Sequence, residues 1–501
     1  MVSYTTVSPL PVPYRRTGAA VGGLFSVALS RGSPRVGVTH HPALWSPDLP
    51  RRVASHPTRP PRRLIRRLSV PSPGDQLTRE EPALSDAIAV AALVATVLTA
   101  IRWPHARGEL VTGSLAAVAV LLVGAVSPAD AVAQVRELAP VVGFLVALLV
   151  LGAACSAAGL FDALGWMLSA AAWRRPAFAL PVAGGAAALT SVALSLDTTV
   201  VLLTPALAIA ARRIGQGARA YEFISVRMAN SASLLLPVSN LTNLLAISAT
   251  GLGYLQWAWL MLPVWLCAVV LECVVVRLAF GRTVEPTRLP ATPPSPPDVA
   301  RTKLTRAAAL VVVLVLVGFV AGSYVGIQPV WVAATGAVLL ALVVVRKRPV
   351  AARTLAASAG LPFAYFVMCW GIVVAAVAQT DLVREVETRL PSGSGLGSLI
   401  GLALIAMVAA NLLNNLPATL LLVPLVAPGG TVAVLAVIVG VNVGSNLTYA
   451  GSLANLLWRK VVRRLHDRDP TGDFHRLGVL STPPLVIACT TVLWAWTSLV
   501  R

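Results

Sequence analysis

Two stretches of this sequence place small polar side chains at matched distances from a proline. Ser195-Leu196-Asp197-Thr198-Thr199 leads to Pro205, and Asn414-Asn415-Leu416-Pro417-Ala418-Thr419 leads to Pro424, with Ser195 and Asn414 each ten positions before the proline. Downstream of each, the tetrapeptide SNLT recurs, as Ser239-Asn240-Leu241-Thr242 followed by Asn243, and as Ser445-Asn446-Leu447-Thr448 followed by Ser452 and Asn455. Hydroxyls and carboxamides in such clusters can replace the hydration of a small solute or ion without a fixed charge. Asp197 is the only ionisable residue at either cluster that ends in a proline, and it is the candidate for proton coupling. Burial favours its neutral acid while helix N-termini favour its anion, so a carboxyl held between the two can exchange a proton. The candidate ligands are therefore Ser195, Asp197, Thr198, Thr199, Ser239, Asn240, Thr242 and Asn243, with Asn414, Asn415, Thr419, Ser445, Asn446, Thr448, Ser452 and Asn455 as the second set.

These clusters interrupt segments that are otherwise apolar. Of the 501 residues, 56% are hydrophobic and 12% charged, against about a quarter charged in soluble chains. Apolar runs of membrane-spanning length follow one another from Leu84. The first half reads 84–101, 110–126, 138–160, a short amphipathic piece at 161–175, a pair at 176–195 and 198–212, then 221–250 and 255–280. A linker at 281–303 contains six prolines, which exclude a continuous helix. The second half repeats the plan at 304–324, 329–345 and 355–378, an amphipathic piece at 380–392, a pair at 396–413 and 417–427, then 430–462 and 477–499. The run 417–427 spans about 17 Å as helix, too short for a hydrocarbon core of about 30 Å. The pairs near 176–212 and 396–427 are accordingly expected to be re-entrant hairpins, and 221–250 and 430–462 to be broken helices. Non-helical backbone is tolerated at that depth only where it lines a protein cavity, and inverted repeats with broken helices form the sites of secondary transporters. The expected fold is an all-α polytopic membrane protein with an inverted repeat over 84–280 and 304–501, located in the cell membrane and surrounded by lipid.

Residues 1–83, with thirteen prolines and twelve arginines, read as a disordered basic tail. The net charge of +20 resides largely there and in short loops. It orients a membrane protein rather than binding nucleic acid, and the positive-inside rule puts Arg212-Arg213, Arg219, the 281–303 linker, Arg346-Lys347-Arg348 and the Arg459–Arg464 cluster in the cytoplasm. Cys155, Cys267, Cys273, Cys369 and Cys489 fall in separate apolar runs without a close pair, so neither a disulfide framework nor a metal site is expected. No cofactor motif is present. The six histidines lie in expected tails or loops, and HExxH, GxGD and GxxxxGK[ST] are absent. An intramembrane enzyme and an ATP-driven pump are thereby disfavoured. Glu272, five residues from Arg277, is expected to snorkel or pair, and the alternating charges of Asp381, Arg384, Glu385, Glu387 and Arg389 to form a solvated face.

Over roughly 84–500 the sequence resembles the ion transporter superfamily, and most of all arsenite efflux permeases of the ArsB type. The resemblance rests on SLDTTVVLLTP, VSNLTNLL, NNLPATLLLVP and NVGSNLTYAGSLANLLW. It implies proton-coupled extrusion of arsenite or antimonite as the trihydroxides, in some members with a separate soluble ATPase subunit. Sodium/proton antiporters and divalent-anion symporters share the hairpin motifs and supply the alternative. In the symporters the tips carry Ser-Asn-Thr; here Leu196 and Asp197 stand at the second and third places of the first tip, and Asn414-Asn415-Leu416 forms the other.

Overall fold

In hydrocarbon an unpaired backbone N–H or C=O costs several kcal/mol, so apolar runs close their hydrogen bonds within themselves. The computed structural model describes residues 73–102, 106–173, 175–284, 295, 302–466 and 469–500, and every regular element among them is helical. The first half comprises α1 (Pro73–Arg102), α2 (Ala106–Leu122), α3 (Pro128–Ala157) and α4 (Leu160–Trp173). A hairpin follows, with α5 (Ala179–Leu194) as its first arm. Its second arm is one turn (Leu196–Thr198), a wide π-turn (Thr199–Leu203) and α6 (Thr204–Arg213). Next come α7 (Ala218–Ser231), a break, α8 (Leu241–Thr250) and α9 (Tyr254–Val284).

The second half comprises α10 (Lys303–Val325), α11 (Pro329–Lys347), α12 (Ala351–Ser358), α13 (Leu361–Val377) and α14 (Asp381–Arg389). The second hairpin is α15 (Leu396–Leu413) with α16 (Asn415–Val426), followed by α17 (Thr431–Gly444), a break, α18 (Leu453–His466) and α19 (Thr471–Val500). Eight helical stretches among the described residues are long and apolar enough to cross a bilayer. This is an all-α multi-pass membrane protein.

Two boundaries and the placement of two histidines differ from the sequence reading. The expected tail extends to residue 83, but α1 already begins at Pro73. Proline at a first helical position carries a preset φ and lacks only an N–H that would have no partner there. The rest of the tail and most of the linker lie outside the described residues. The segment expected at 355–378 is two helices, because Gly360 takes φ 61° between α12 and α13. Two of the histidines expected in loops belong to helices. His466 closes α18 with Nε2 2.5 Å from Glu222 Oε1, and the ring of His475, in α19, lies 5.0 Å from that of Tyr449. On α14, Arg384 pairs with Asp381 at 2.7 Å and Arg389 with Glu385 at 2.5 Å, all exposed, as a solvated face requires.

The two largest of four buried clusters among the described residues carry most of the packing. One gathers α3 to α7 with α10, α11 and α18, and the other α9, α15, α16, α17 and α19. Within the second, α17 lies so close to α15 that a Cβ on Gly440 would stand 2.1 Å from the Ala403 carbonyl oxygen. Small residues permit such approach where lipid supplies no hydrophobic drive between helices.

Candidate functional site

Both hairpins turn on a non-glycine residue in a conformation that normally requires glycine. Ser195 has φ 102° and ψ 161°, and Asn414 has φ 80° and ψ 155°; among the described residues they are the only non-glycine positions at positive φ. That corner of the backbone map costs about 1–3 kcal/mol per residue and persists only where the surroundings enforce it. At the first tip, Thr199 donates from Oγ1 to the Ser195 carbonyl at 3.0 Å, and its hydroxyl lies 2.9 Å from Ser191 Oγ on the other arm. Thr198 is packed against α3, where a Cβ on Gly152 would stand 2.6 Å from its Oγ1. At the second tip, Asn414 Nδ2 donates to the Ala450 carbonyl at 3.1 Å, and Thr419 donates to the Asn415 carbonyl at 2.8 Å.

The two tips and the two breaks meet around one cavity of about 50 Å³. Its wall includes Leu196 and Asp197, Asn240 to Thr242, Asn414 to Leu416, and Leu453. Each group opens a helix, so four N-termini converge, and their first N–H groups have no intrahelical acceptor. The combined helix dipoles favour solute oxygens there. Glu109 of α2, with Phe363, Phe366 and Trp370 of α13, supplies the facing wall. Two buried atoms of the lining residues, Asp197 Oδ1 and Trp370 Nε1, have no hydrogen-bond partner among the described residues. Residues at the tips of both hairpins line this shared cavity, and α16, with 12 residues, is too short to cross a hydrocarbon core.

Of the sequence-derived candidates, Asp197, Asn240, Thr242, Asn414 and Asn415 line the cavity. Ser195, Thr198, Thr199 and Thr419 stand beside it and shape the tips. The others build the breaks. Ser239 donates to the Val192 carbonyl at 3.1 Å, tying the first break to α5. Asn243 donates to the carbonyls of Ser233 (2.7 Å) and Leu236 (3.0 Å), ten and seven positions earlier. Asn455 donates to those of Ser445 (2.7 Å) and Thr448 (2.9 Å), again ten and seven positions earlier. Ser445 Oγ lies 2.8 Å from the Gly451 carbonyl oxygen, Thr448 donates from Oγ1 to Asn411 Oδ1 at 2.8 Å, and Ser452 Oγ accepts the Asn455 N–H at 3.3 Å. Asn243, Asn446 and Asn455 are fully buried and away from the cavity. The amides of Asn243 and Asn455 satisfy backbone that the breaks leave unpaired, whereas Asn446 donates to Ser231 Oγ and Glu272 Oε1, so that these buried polar groups find partners.

The structure also brings in residues that the sequence reading passed over. Arg227 of α7, fully inside the molecule, pairs with Glu272 of α9, which also accepts from Ser231 Oγ at 2.7 Å and Asn446 Nδ2 at 3.0 Å. Arg227 donates as well to Ser481 Oγ at 2.9 Å. Glu272 thus pairs, but with Arg227 rather than Arg277, and it does not snorkel. An arginine in the middle of the 221–250 run was the available signal, since an intramembrane charge needs a partner. Asn230 and Asn442 are the other omissions, each thirteen positions before a break asparagine. For Trp370 the signal was the spacing Phe363, Phe366, Trp370, which places three aromatics on one helical face.

The fold is shared with a solved protein. The transporter YdaH of Alcanivorax borkumensis, described as having an unusual topology, matches with a TM-score of 0.50 at 15% identity, over 74% of this chain and 87% of that one. Among curated relatives, the arsenical pump membrane protein of Escherichia coli K12 is 26% identical over 427 residues, covering 81% of this chain and 98% of its own. That of Yersinia enterocolitica is 28% identical over 313 residues, covering 59% and 72%. The family model described as citrate transporter matches residues 94–440, more than two thirds of the chain. With paired hairpins and breaks closing on one cavity inside a multi-pass helical protein of the cell membrane, the chain is a membrane transporter and belongs to the citrate transporter (CitMHS) family.

Proposed function

We propose that this protein exports the undissociated trihydroxides of arsenic(III) and antimony(III) in exchange for protons. The observation that carries the reading is the composition of the cavity wall: five leucines and three aromatic side chains, the carboxamides of Asn240, Asn414 and Asn415, the Thr242 hydroxyl and the carboxylates of Asp197 and Glu109, with no arginine, lysine or histidine among the described residues that line it. A citrate trianion would face the Asp197 carboxylate with no cationic side chain among the described lining residues, and desolvating it there would be costly. A neutral hydroxylated solute meets no such cost. Size supports the same class. A cavity of about 50 Å³ fits a small inorganic solute better than a tricarboxylate. The naming of the Escherichia coli and Yersinia relatives as arsenical pump membrane proteins agrees with this choice within the family.

Proton coupling is assigned to Asp197. Its Oδ1 is buried without a partner, and among the described residues no ion pair involves it. A carboxyl at a hairpin tip, with no ion-pair partner, can bind a proton when the site faces one side and release it at the other. Ser195 and Thr199 hold the tip, while Asn240, Thr242, Asn414 and Asn415 contact the solute. The test is uptake into everted membrane vesicles with an imposed pH gradient. Arsenite and antimonite should accumulate, whereas citrate, succinate and sodium should not; accumulation of citrate without arsenite overturns the reading.

A further inference from the structure

Two residues that line the cavity, Asp197 and Trp370, each carry a buried polar atom with no partner among the described residues, and the two atoms have opposite hydrogen-bonding character. Asp197 Oδ1 can accept, and Trp370 Nε1–H can only donate. Burying either without a partner costs about 1–3 kcal/mol, so native proteins rarely leave such atoms unused. Trp370 is 3% exposed, and its ring packs on Phe366 with centroids 5.1 Å apart. The indole is therefore held in a packed setting, away from bulk water. Asp197 comes from a hairpin tip, while Trp370 comes from α13, which packs among α1, α2 and α3. The acceptor and the donor thus stand on separate elements that share one cavity.

We propose that Trp370 is a solute-binding residue, donating its indole N–H to an oxygen of the solute while Asp197 accepts a solute O–H. This deepens the reading given above and rests on it for the location of the site. It defines the substrate class by hydrogen bonding: small inorganic acids in their undissociated form, in which each hydroxyl both donates and accepts. Arsenous and antimonous acids belong to it, and so does boric acid. A fully ionised carboxylate without a hydroxyl, such as succinate, can accept from Trp370 but has no proton to give Asp197, so it satisfies only one of the two atoms; citrate keeps one hydroxyl but brings three negative charges beside Asp197. No charge complementarity is needed, consistent with a wall that lacks cationic side chains.

The test is equilibrium binding to the purified full-length protein in lipid nanodiscs, read as the ligand-dependent shift in melting temperature, with arsenous acid, boric acid and citrate as probes at neutral pH. Trp370→Phe keeps an aromatic ring and removes only the N–H end. It should weaken arsenous and boric acid binding about tenfold, the equivalent of about 1.4 kcal/mol for one lost hydrogen bond, while the melting temperature without ligand changes little. Trp370→Tyr, which restores a donor on the ring, should recover part of the affinity and serves as the working variant if Trp370→Phe fails to insert. Equal affinity in wild type and both variants overturns the proposal, as does binding of citrate in preference to the acids, or binding of none of the probes. The two readings separate cleanly. Arsenite transport that ignores Trp370 sinks this proposal alone, whereas Trp370-dependent binding of boric acid in a protein that does not export arsenite sinks the arsenite reading alone.

Discussion

Asn442 donates its side-chain amide to Asn243 Oδ1 at 2.7 Å, joining the helix that precedes the second break to the helix that follows the first. The reciprocal bond is present too: Asn230, before the first break, donates to Asn455 Oδ1 after the second, also at 2.7 Å. Each broken segment is therefore fastened by an asparagine from the other half. Asn442 Oδ1 in addition accepts from Thr242 Oγ1 at 2.7 Å and Asn240 Nδ2 at 3.1 Å, and both of those residues line the cavity. The cross-bonds link scaffold to site.

This predicts that Asn442→Leu is more damaging than the loss of one hydrogen bond. Three partners lose their match in a buried place, at about 1–3 kcal/mol for each group left unsatisfied. The variant should melt several degrees lower in detergent, and its transport rate should fall at least tenfold. Asn230→Leu should behave alike, and normal melting with normal transport in both would show that the cross-bonds do not hold the breaks.

The Arg227–Glu272 pair gives a second prediction. Removing one member leaves an uncompensated buried charge and costs about 3–5 kcal/mol, whereas replacing both by apolar residues of similar volume is often neutral. Glu272→Met and Arg227→Met should each be strongly destabilised in thermal melts, and the double variant should recover most of the loss. A double variant as unstable as the sum of the singles would show that the pair contributes more than mutual neutralisation.

The tips yield a third. Glycine adopts the conformation of Ser195 and Asn414 without the Cβ clash, so Ser195→Gly and Asn414→Gly should keep the fold and raise stability by up to about 1 kcal/mol. Transport should drop in both, because the Ser195 hydroxyl and the Asn414 amide that fix the tips are gone. Ser195→Val, β-branched at positive φ, should fail to accumulate in the membrane. Immunoblots of membrane fractions together with melting curves decide the matter, and equal expression of the valine and glycine variants would remove the argument from strain.

The hairpins and breaks were legible in the sequence because their physics is local. A polar cluster and a proline within an apolar run mark where a helix cannot continue, and the matched spacings of Ser195 to Pro205 and Asn414 to Pro424 marked both tips. Which side of each break faces the cavity was not legible. Asn240 and Asn243 lie three residues apart, yet one reaches the cavity and the other binds Ser233 and Leu236. That choice depends on where the other half of the chain lies, and single-sequence periodicity carries no such information. Arg227 escaped for a different reason: a single charge changes the hydropathy of a long run very little, and its partner is 45 positions away.

The cysteines supply a fourth prediction. Arsenic(III) binds thiols strongly, but none of the five cysteines is among the residues lining the cavity. A cysteine-free variant should transport arsenite at close to the wild-type rate, measured in everted vesicles at matched expression. Abolition of transport by a single Cys→Ser change would mean that thiolate ligation is part of the path.

The most direct test of the central claim is Asp197→Asn in proteoliposomes loaded at one pH and diluted into another. Asparagine can keep the hydrogen bonds of a helix start about as well as aspartate but cannot carry a proton. Proton-coupled export at Asp197 predicts that the variant equilibrates arsenite down its gradient and no longer accumulates it against one, whatever the pH difference. Full uphill accumulation by the Asp197→Asn protein would contradict the assignment and move the proton site to another carboxylate.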